Sequence, residues 1–565
     1  MKAYFAGFRQ NNQFYVLLIA AVAVAVMLPV LIFGLPGGYD LPHHFQCAAT
    51  FYESILSGDF YPSWSLNRNF GYGGMETRLY PPLSHYSLAV VYLIVGNWHL
   101  ATWLILTLFA FLGGYAVYLW AREYMSANQA AFAGCIYVLL PYHLNQVYNT
   151  FFFAEFVGSS LLPFTFVFVS RVCRRGKTSD VVGLAISFAV LILTHLPLTV
   201  IGSICFAIYG ISLLRREKIL PQALKLAIGV FGGLAASSFF WIKVLQERDL
   251  LAKTSVYSDL FLDYRLHFLI TPFQTYEGIG VSVYENATFY YDLMFFYTVV
   301  MALACAVPFL VWLKQKDKLI GVWLVFAVSV FLIIPLSRFV WDVSPLLQEV
   351  QFPWRWLSIV SITASVLSAS KLNYLLEWFK GGKRPFALMI AGSIVFIVVF
   401  SVSQIIRPAP FIPKDEVSEM LEVNAKAKGF IFWWTIWARE GFAVKDKILA
   451  GSRNVQIENW TATEKDFQIS AGEAVEARVA VFYHPNWKAV IDDVPTETKP
   501  DENGVVIISV PNQASLVKLT FRETFGARIG CWLSALCWLS LILFLIWRFS
   551  TQAISSMRHK QTIFS

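Results

Sequence analysis

Ionisable side chains follow the first hydrophobic segment of the chain within a few residues. Residues 37–44 read Gly-Gly-Tyr-Asp-Leu-Pro-His-His, which places Asp40, His43 and His44 beside a candidate membrane exit. A carboxylate that is partly withdrawn from water can accept a proton from a hydroxyl group. The structural alternatives for Asp40 are a helix cap and a solvated interfacial charge. We take Asp40 as the candidate general base.

The two histidines could bind a phosphate or a divalent metal. If residues 40–44 were helical, His43 and His44 would share a face with Asp40. Pro42 argues against a helix that runs through from Asp40. The sequence therefore favours a phosphate contact or a polar interface over a metal site, and we expect no required cofactor, with a divalent metal as the alternative.

Two further charges lie in apolar surroundings. Glu155 stands in Phe-Phe-Phe-Ala-Glu-Phe, near the outer end of a hydrophobic segment, where an unpaired carboxylate is unfavourable by up to about 3 kcal/mol. It must be partnered, functional, or both. Arg355 stands between two tryptophans, a setting that suits a lipid phosphate, or an anchor that extends to the interface. Arg78 has the same two interpretations.

The composition indicates a polytopic membrane protein. The 565 residues are 57% hydrophobic and 14% charged, and the mean hydropathy is +0.58, far above that of a soluble chain. About twelve hydrophobic segments are candidate spans. They lie near 14–34, 99–120, 128–143, 151–172, 180–197, 198–214, 222–244, 292–313, 319–336, 354–376, 384–406 and 529–547.

The positions of lysine and arginine predict the topology. Residues 84–95 are apolar but few for a crossing, and we interpret them as a short helix in the outer interface. Both termini and the basic clusters, from Arg171–Lys177 onward, then lie in the cytoplasm. We expect a bacterial inner membrane. The formal net charge of +8 is explained by this topology and by contact of the cytoplasmic basic residues with anionic lipid, and it does not imply nucleic-acid binding.

The sequence divides into three parts. Residues 1–406 form a helical membrane domain with a first outer loop at 35–98. Residues 407–526 form an outer domain in which alternating runs, such as 477–483 and 505–510, predict short antiparallel strands and a small β-sandwich. Residues 527–565 form a final transmembrane helix and a cytoplasmic tail.

The order of short motifs along the chain resembles known membrane families. The motifs are Asp40 with His43, then Tyr-Pro-Ser-Trp at 61–64, Tyr-Pro-Pro-Leu at 80–83, Leu-Pro-Tyr-His at 140–143, Ala-Glu at 154–155 and Gln-Phe-Pro-Trp-Arg at 351–355. They resemble the bacterial membrane family labelled 6-pyruvoyl-tetrahydropterin synthase related, although nothing in the residues suggests pterin chemistry. The stretch 481–492 is similar to the tail of YfhO-type membrane proteins. The arrangement of spans and outer domains resembles the GT-C membrane glycosyltransferases.

The GT-C resemblance implies an α-helical membrane enzyme that transfers a sugar from a polyprenyl-phosphate donor to an acceptor on the outer face, with inversion. The acceptor would be a glycan, a lipid or a protein. The family's loop carboxylate falls on Asp40, and the paired acids that bind metal in oligosaccharyltransferases are absent from the first loop. We expect a lipid-phosphate site built from His43, His44, Arg78, Tyr80, Glu155 and Arg355.

Two other classes of function remain open at this point. One is a lipid-linked glycan transporter or a polymerase/ligase, which would show polar residues deep inside several helices. The other is a non-catalytic cell-envelope assembly protein whose spans serve as an anchor.

Overall fold

The computed structural model describes residues 12–38, 40–252, 263–269, 319–370, 372–380, 384–407, 409–426, 429, 431–443 and 445–564. The predicted span at 292–313 lies outside the described residues. The described chain is mostly helical, with a β-rich part near its C-terminus.

The helices alternate between long apolar ones and short connecting ones. In chain order they are α1 Asn12–Phe33, α2 Leu41–Leu56, α3 Glu76–Leu79, α4 Leu83–Val95, α5 Trp98–Ala121, α6 Ala127–Leu139, α7 Pro141–Tyr148, α8 Phe153–Arg174, α9 Thr178–Ile192, α10 Leu196–Leu213, α11 Ile219–Ala236, α12 Ser238–Glu247, α13 Ile320–Ile333, α14 Arg338–Asp342, α15 Pro345–Gln348, α16 Leu357–Ser370, α17 Leu372–Lys380, α18 Arg384–Ile406, α19 Val417–Lys426 and α20 Phe525–Phe564.

Six helices of the described chain are long and apolar enough to cross a membrane, or seven if the bent pair around Pro335 is one span. The number of about twelve is therefore not confirmed. Prolines account for part of the difference: the predicted span 128–143 ends as α6 at Leu139, and a separate helix α7 begins at Pro141. Leu140 between them is extended, as expected for a residue before proline.

Helix α2 begins directly after Asp40, and the argument from Pro42 against a helix there is wrong. Asp40 is the residue that precedes the helix, and Pro42 lies in its first turn. The first-turn N–H groups of a helix have no partner within the helix, so proline is tolerated there. His44 consequently lies one turn beyond Asp40, on the same side of α2.

The short helix predicted at 84–95 is confirmed as α4, which has 13 residues. At 1.5 Å per residue its length is about 20 Å, less than the roughly 30 Å of a hydrocarbon core. Gly96 ends it in the left-handed conformation, with φ of 65°, which glycine adopts without steric strain.

The predicted β-rich domain consists of two antiparallel sheets. Their strands are β3 Ile448–Leu449, β4 Val455–Trp460, β5 Glu464–Ile469, β6 Val475–Phe482, β7 Trp487–Ile491, β8 Val494–Thr496, β9 Thr498–Pro500, β10 Val505–Val510 and β11 Ser515–Phe521. One sheet has the order β3-β6-β10-β9 and the other β4-β5-β11-β7-β8. Buried residues alternate along β5 and β11, so that one face of the second sheet is apolar and faces the core.

The first outer loop is packed into the core of this β-rich domain. Trp64, Tyr72, Met75 and Leu79 belong to the same buried cluster as the strands, and the ring of Trp64 lies 5.8 Å from that of Trp487. A second connection is a two-stranded sheet in which β1 Leu35–Pro36 pairs with β2 Phe411–Ile412. Residues far apart in sequence thus hold the start of α2 in place from both sides.

Candidate functional site

The segment that carries Asp40 is fixed by close backbone packing. The N–H of Asp40 donates to the carbonyl of Thr150 at 3.4 Å. A Cβ atom on Gly38 would lie 2.3 Å from the carbonyl carbon of Thr150, so only glycine allows this approach. The connection between α7 and α8 therefore sets the position of the candidate base.

Asp40 is partly exposed but lies close to other charged groups. Its side chain is 43% exposed, yet burial by the surrounding protein raises the pKa of the carboxyl to about 7. The charge of Arg355 opposes this shift, and the charge of Glu155 adds to it. The structure thus brings together three residues that the sequence singled out separately.

Glu155 and Arg355 form a buried ion pair beside Asp40. The Nε of Arg355 donates to Glu155 at 3.1 Å, and the two side chains are 12% and 2% exposed. Glu155 also accepts hydrogen bonds from the hydroxyl of Tyr142 and from Gln146. The prediction that Glu155 must be partnered is confirmed.

The guanidinium of Arg355 is oriented by contacts beyond the ion pair. Its Nη1 donates to the carbonyl of Val350 at 2.7 Å, and the faces of Phe352 and Trp354 lie 4.6 and 5.7 Å from its central carbon. The alternative of a free interfacial anchor does not describe such a side chain. A planar, oriented guanidinium suits recognition of phosphate oxygens.

His44 connects Asp40 to a histidine that the sequence analysis did not select. The Nε2 of His44 lies 3.9 Å from Oδ2 of Asp40, and its Nδ1 lies 2.8 Å from Nε2 of His85. Burial, and then the neighbouring histidines, hold the pKa of His44 well below its usual value. The signal for His85 was available, since an imidazole within an apolar helix requires a polar partner.

An aromatic group stands beside this pair. His43 lies parallel to Trp433, with ring centroids 5.8 Å apart, and Tyr80 contacts both of these rings edge-on. Burial, followed by the charge of Arg68, keeps the pKa of His43 well below its usual value. A phosphate contact from His43 at pH 7 would thus be a hydrogen bond from a neutral ring. Trp433 was missed because only the fold brings it to the first loop.

The structure places Arg78 in a different cluster. Its guanidinium is fully buried and donates at 2.6 Å both to Glu247, at the end of α12, and to Glu523, before α20. Lys243 also contacts Glu523, at 3.2 Å. Arg78 is thus engaged by two carboxylates that the sequence analysis did not consider.

Within the described ranges, no group of three or more histidine, cysteine or acidic side chains is arranged to hold a metal ion. The predicted alternative of a metal bound by Asp40, His43 and His44 has no such cluster to rest on in this part of the chain. What the site contains is one oriented cation, two carboxylates and several neutral rings.

Comparison with known proteins identifies a family. A family model described as 6-pyruvoyl-tetrahydropterin synthase related domain, membrane protein, matches residues 77–406, which is more than half of the chain. No curated protein matches.

Several solved structures are similar at low identity. The apo oligosaccharyltransferase of Archaeoglobus fulgidus is 15% identical over 72% of this chain and 57% of its own, with a TM-score of 0.44. ArnT from Cupriavidus metallidurans bound to undecaprenyl phosphate is 15% identical over 73% of this chain and 76% of its own, with a TM-score of 0.33. Arabinosyltransferase EmbB from Mycobacterium smegmatis is 11% identical over 89% of this chain and 62% of its own, with a TM-score of 0.34. The chain thus spans little more than half of the oligosaccharyltransferase, and TM-scores at this level do not assign a function.

Proposed function

This chain belongs to the membrane protein family described as 6-pyruvoyl-tetrahydropterin synthase related, and we propose that it is a membrane glycosyltransferase. The donor is a sugar linked to a polyprenyl phosphate, and the acceptor is a hydroxyl compound on the outer face of a bacterial inner membrane. The observation that carries the proposal is the proximity of Asp40 to the buried Glu155–Arg355 pair.

Each residue has a defined part in the proposed reaction. The acceptor oxygen attacks the anomeric carbon, Asp40 takes the hydroxyl proton, and the polyprenyl phosphate leaves with the electrons of the broken C–O bond. A single displacement of this kind inverts the anomeric centre. We assign Arg355 to the phosphate oxygens, whose negative charge grows as the bond breaks.

The arrangement of Arg355 supports this assignment. Glu155 and the Val350 carbonyl occupy Nε and one terminal nitrogen, and Phe352 and Trp354 restrict the plane of the guanidinium. An arginine that is held in one orientation loses less side-chain entropy when it binds a ligand. His43 and Tyr80 pack against each other and against His44, and we assign them to the donor site as neutral groups.

The proposal is tested with the full-length protein in lipid nanodiscs. Binding of undecaprenyl phosphate and transfer from labelled polyprenyl-phosphate sugars are measured for the wild type, Asp40→Asn and Arg355→Gln. We expect Asp40→Asn to bind the lipid but to lose about a hundredfold or more in transfer rate. We expect Arg355→Gln to lose about tenfold or more in lipid affinity.

The other outcomes separate the alternatives. Full transfer by Asp40→Asn would remove Asp40 from the role of base. Lipid binding without transfer from any donor, together with movement of the lipid between leaflets, would indicate a transporter. If the wild type shows neither lipid binding nor transfer, the non-catalytic assembly protein is the remaining class.

A further inference from the structure

His44 and His85 form a hydrogen-bonded pair behind Asp40. Their facing nitrogens, Nδ1 of His44 and Nε2 of His85, are 2.8 Å apart, and the residues are 1% and 0% exposed. The opposite nitrogen of His44, Nε2, lies 3.9 Å from the Asp40 carboxylate. One hydrogen must lie between the two rings, so the tautomer of His85 decides which nitrogen of His44 carries its hydrogen.

Two arrangements satisfy the contact between the rings. If His44 donates from Nδ1, its Nε2 is a bare acceptor that faces Asp40. If His85 donates from Nε2, the acceptor is Nδ1 of His44, and an N–H faces Asp40 instead. The first arrangement favours protonated Asp40, and the second favours the carboxylate.

The surroundings of His85 select the first arrangement. The backbone carbonyl of Pro81 acts on the His85 ring as a hydrogen-bond acceptor and favours a ring hydrogen. Because Nε2 faces His44, we assign this hydrogen to Nδ1, which makes no hydrogen bond of full geometry. A hydrogen on Nδ1 leaves Nε2 of neutral His85 as an acceptor. His44 then donates from Nδ1, and its Nε2 is free of hydrogen.

We propose that His85 is a positioning residue for Asp40: it sets the tautomer of His44 so that the bare Nε2 of His44, 3.9 Å from the carboxyl group, faces Asp40 and favours its protonated form. The catalytic meaning of this pair rests on the proposed function, because the proton held on Asp40 is the one taken from the acceptor hydroxyl. Burial keeps the pKa of His44 and of His85 far below 7, so neither ring takes that proton for itself.

Other groups also act on Asp40 and His44. Arg355 favours the charged form of Asp40, Glu155 opposes it, and the hydroxyl of Tyr80 interacts with the same carboxyl group. His43 and His195 act on His44. Tyr80 also packs edge-on against His85, with ring centroids 5.1 Å apart, so the variant that tests the pair must keep a planar ring at position 85.

The test is an infrared titration of the full-length protein in nanodiscs. The difference between the wild type and Asp40→Asn isolates the carboxyl band of Asp40, and the same subtraction is made in each histidine variant. His85→Phe keeps a planar ring but removes the acceptor, which allows His44 to present an N–H to Asp40. We expect the midpoint of Asp40 to fall by about one pH unit.

The control variant keeps the acceptor. His85→Gln offers a carbonyl oxygen to Nδ1 of His44, so we expect its midpoint to stay within about 0.3 pH unit of the wild type. His44→Phe removes the acceptor nitrogen itself and must lower the midpoint as His85→Phe does. It also decides the question if His85→Phe does not fold.

Three results would overturn the proposal: an unshifted midpoint in His85→Phe, equal shifts in the Phe and Gln variants of His85, or an unshifted midpoint in His44→Phe. The titration needs neither donor nor acceptor, so it is independent of transfer. The expected shifts in a protein without transfer activity would reject the proposed function alone. Normal transfer with unshifted midpoints would reject the histidine pair alone.

Discussion

The carboxyl group of Asp40 is held between two opposing influences. Burial and the neighbouring Glu155 favour its neutral form, whereas Arg355 favours the charged form, and the resulting pKa is about 7. A general base works best when its pKa lies near the working pH, because it must be free to accept a proton and strong enough to take it. Partial burial of Asp40, together with the neighbouring Arg355 and Glu155, produces this balance.

The raised pKa of Asp40 predicts a pH dependence of transfer. The base must be deprotonated, so the rate should be constant above pH 8 and should fall as the pH decreases through about 7, approaching tenfold per pH unit below that value. The measurement is kcat/KM for transfer between pH 5.5 and 8.5. A rate that stays constant down to pH 5.5 would contradict a base with this environment, and Asp40→Asn provides the baseline without titration.

The buried pair of Glu155 and Arg355 predicts that replacement of Glu155 lowers the stability of the folded protein. Glu155→Gln leaves the 12%-exposed Arg355 without its charge partner, and loss of one member of a buried ion pair destabilises by about 3 kcal/mol. Thermal unfolding in nanodiscs measures this loss. Ser160→Ala, also on α8, is the control, because the buried hydroxyl of Ser160 has no hydrogen-bond partner among the described residues; we expect little change. Equal stability of the two variants would show that the ion pair is dispensable.

At the scale of elements, the start of α2 depends on one close contact with the α7–α8 connection. Gly38 approaches the backbone of Thr150 so closely that no side chain fits, and the N–H of Asp40 donates to the same residue. The β1–β2 pairing fixes the chain just before this point. Backbone packing at residues 38–40 therefore fixes the position of Asp40.

Gly38→Ala should consequently impair the site without removing any functional group. The added Cβ would lie 2.3–2.5 Å from backbone atoms of Thr150 and Phe151, so the 38–40 segment must shift, and displacement of a catalytic group by about 1 Å can cost a hundredfold in rate. The assay is transfer rate, with lipid binding measured alongside. Gly392→Ala on α18 meets nothing within 4 Å and should keep the wild-type rate. Wild-type transfer by Gly38→Ala would show that the contact is not critical.

At the scale of the whole molecule, the first outer loop, the helices and the β-rich domain are joined in one buried ion cluster. Arg78 of the loop contacts Glu247 of α12 and Glu523, which precedes α20. Burial alone would raise the pKa of Glu523, but the hydrogen bonds and charge of Arg78 lower it to about 2. Trp64 and its neighbours complete the core of the sheets. A variant that lacks residues 407–526 would expose this shared core and lose β2. Loss of activity in such a variant would therefore not tell whether the β-rich domain acts as a scaffold or the protein acts as an enzyme.

Arg78→Met tests the cluster directly. It leaves Glu247 and Glu523 without their shared guanidinium, while Lys243 and the Ser63 hydroxyl still contact Glu523 and His484 lies 3.7 Å from Glu247. We expect a loss of about 3–5 kcal/mol of stability. Limited proteolysis between the loop and the sheets, together with thermal unfolding, measures it. Arg248→Gln removes an exposed pair with Glu349, in which the side chains are 53% and 66% exposed, and should change stability by less than about 1 kcal/mol. Similar losses in the two variants would show that the buried cluster has no special role.

Much of this protein was determined by its sequence alone. Hydropathy identified a membrane protein, alternation identified the strands of the β-rich domain, and the unfavourable position of Glu155 predicted a partner. These are local properties, because burial in lipid and the periodicity of a sheet act on neighbouring residues. The same local reasoning selected Asp40 as the candidate general base, because it lies beside a predicted membrane exit, and this role stays a prediction.

Only the tertiary structure decided which charges meet. Arg355 lies 200 residues from its partner Glu155, and Trp433 reaches His43 across most of the chain. Arg78 was grouped with the site because its sequence setting resembles that of Arg355, but its partners are Glu247 and Glu523. Ion pairs and hydrogen bonds depend on distances of a few ångströms in space, and sequence separation does not specify these distances. His85 is the same case, because its role depends entirely on which ring the fold places 2.8 Å away.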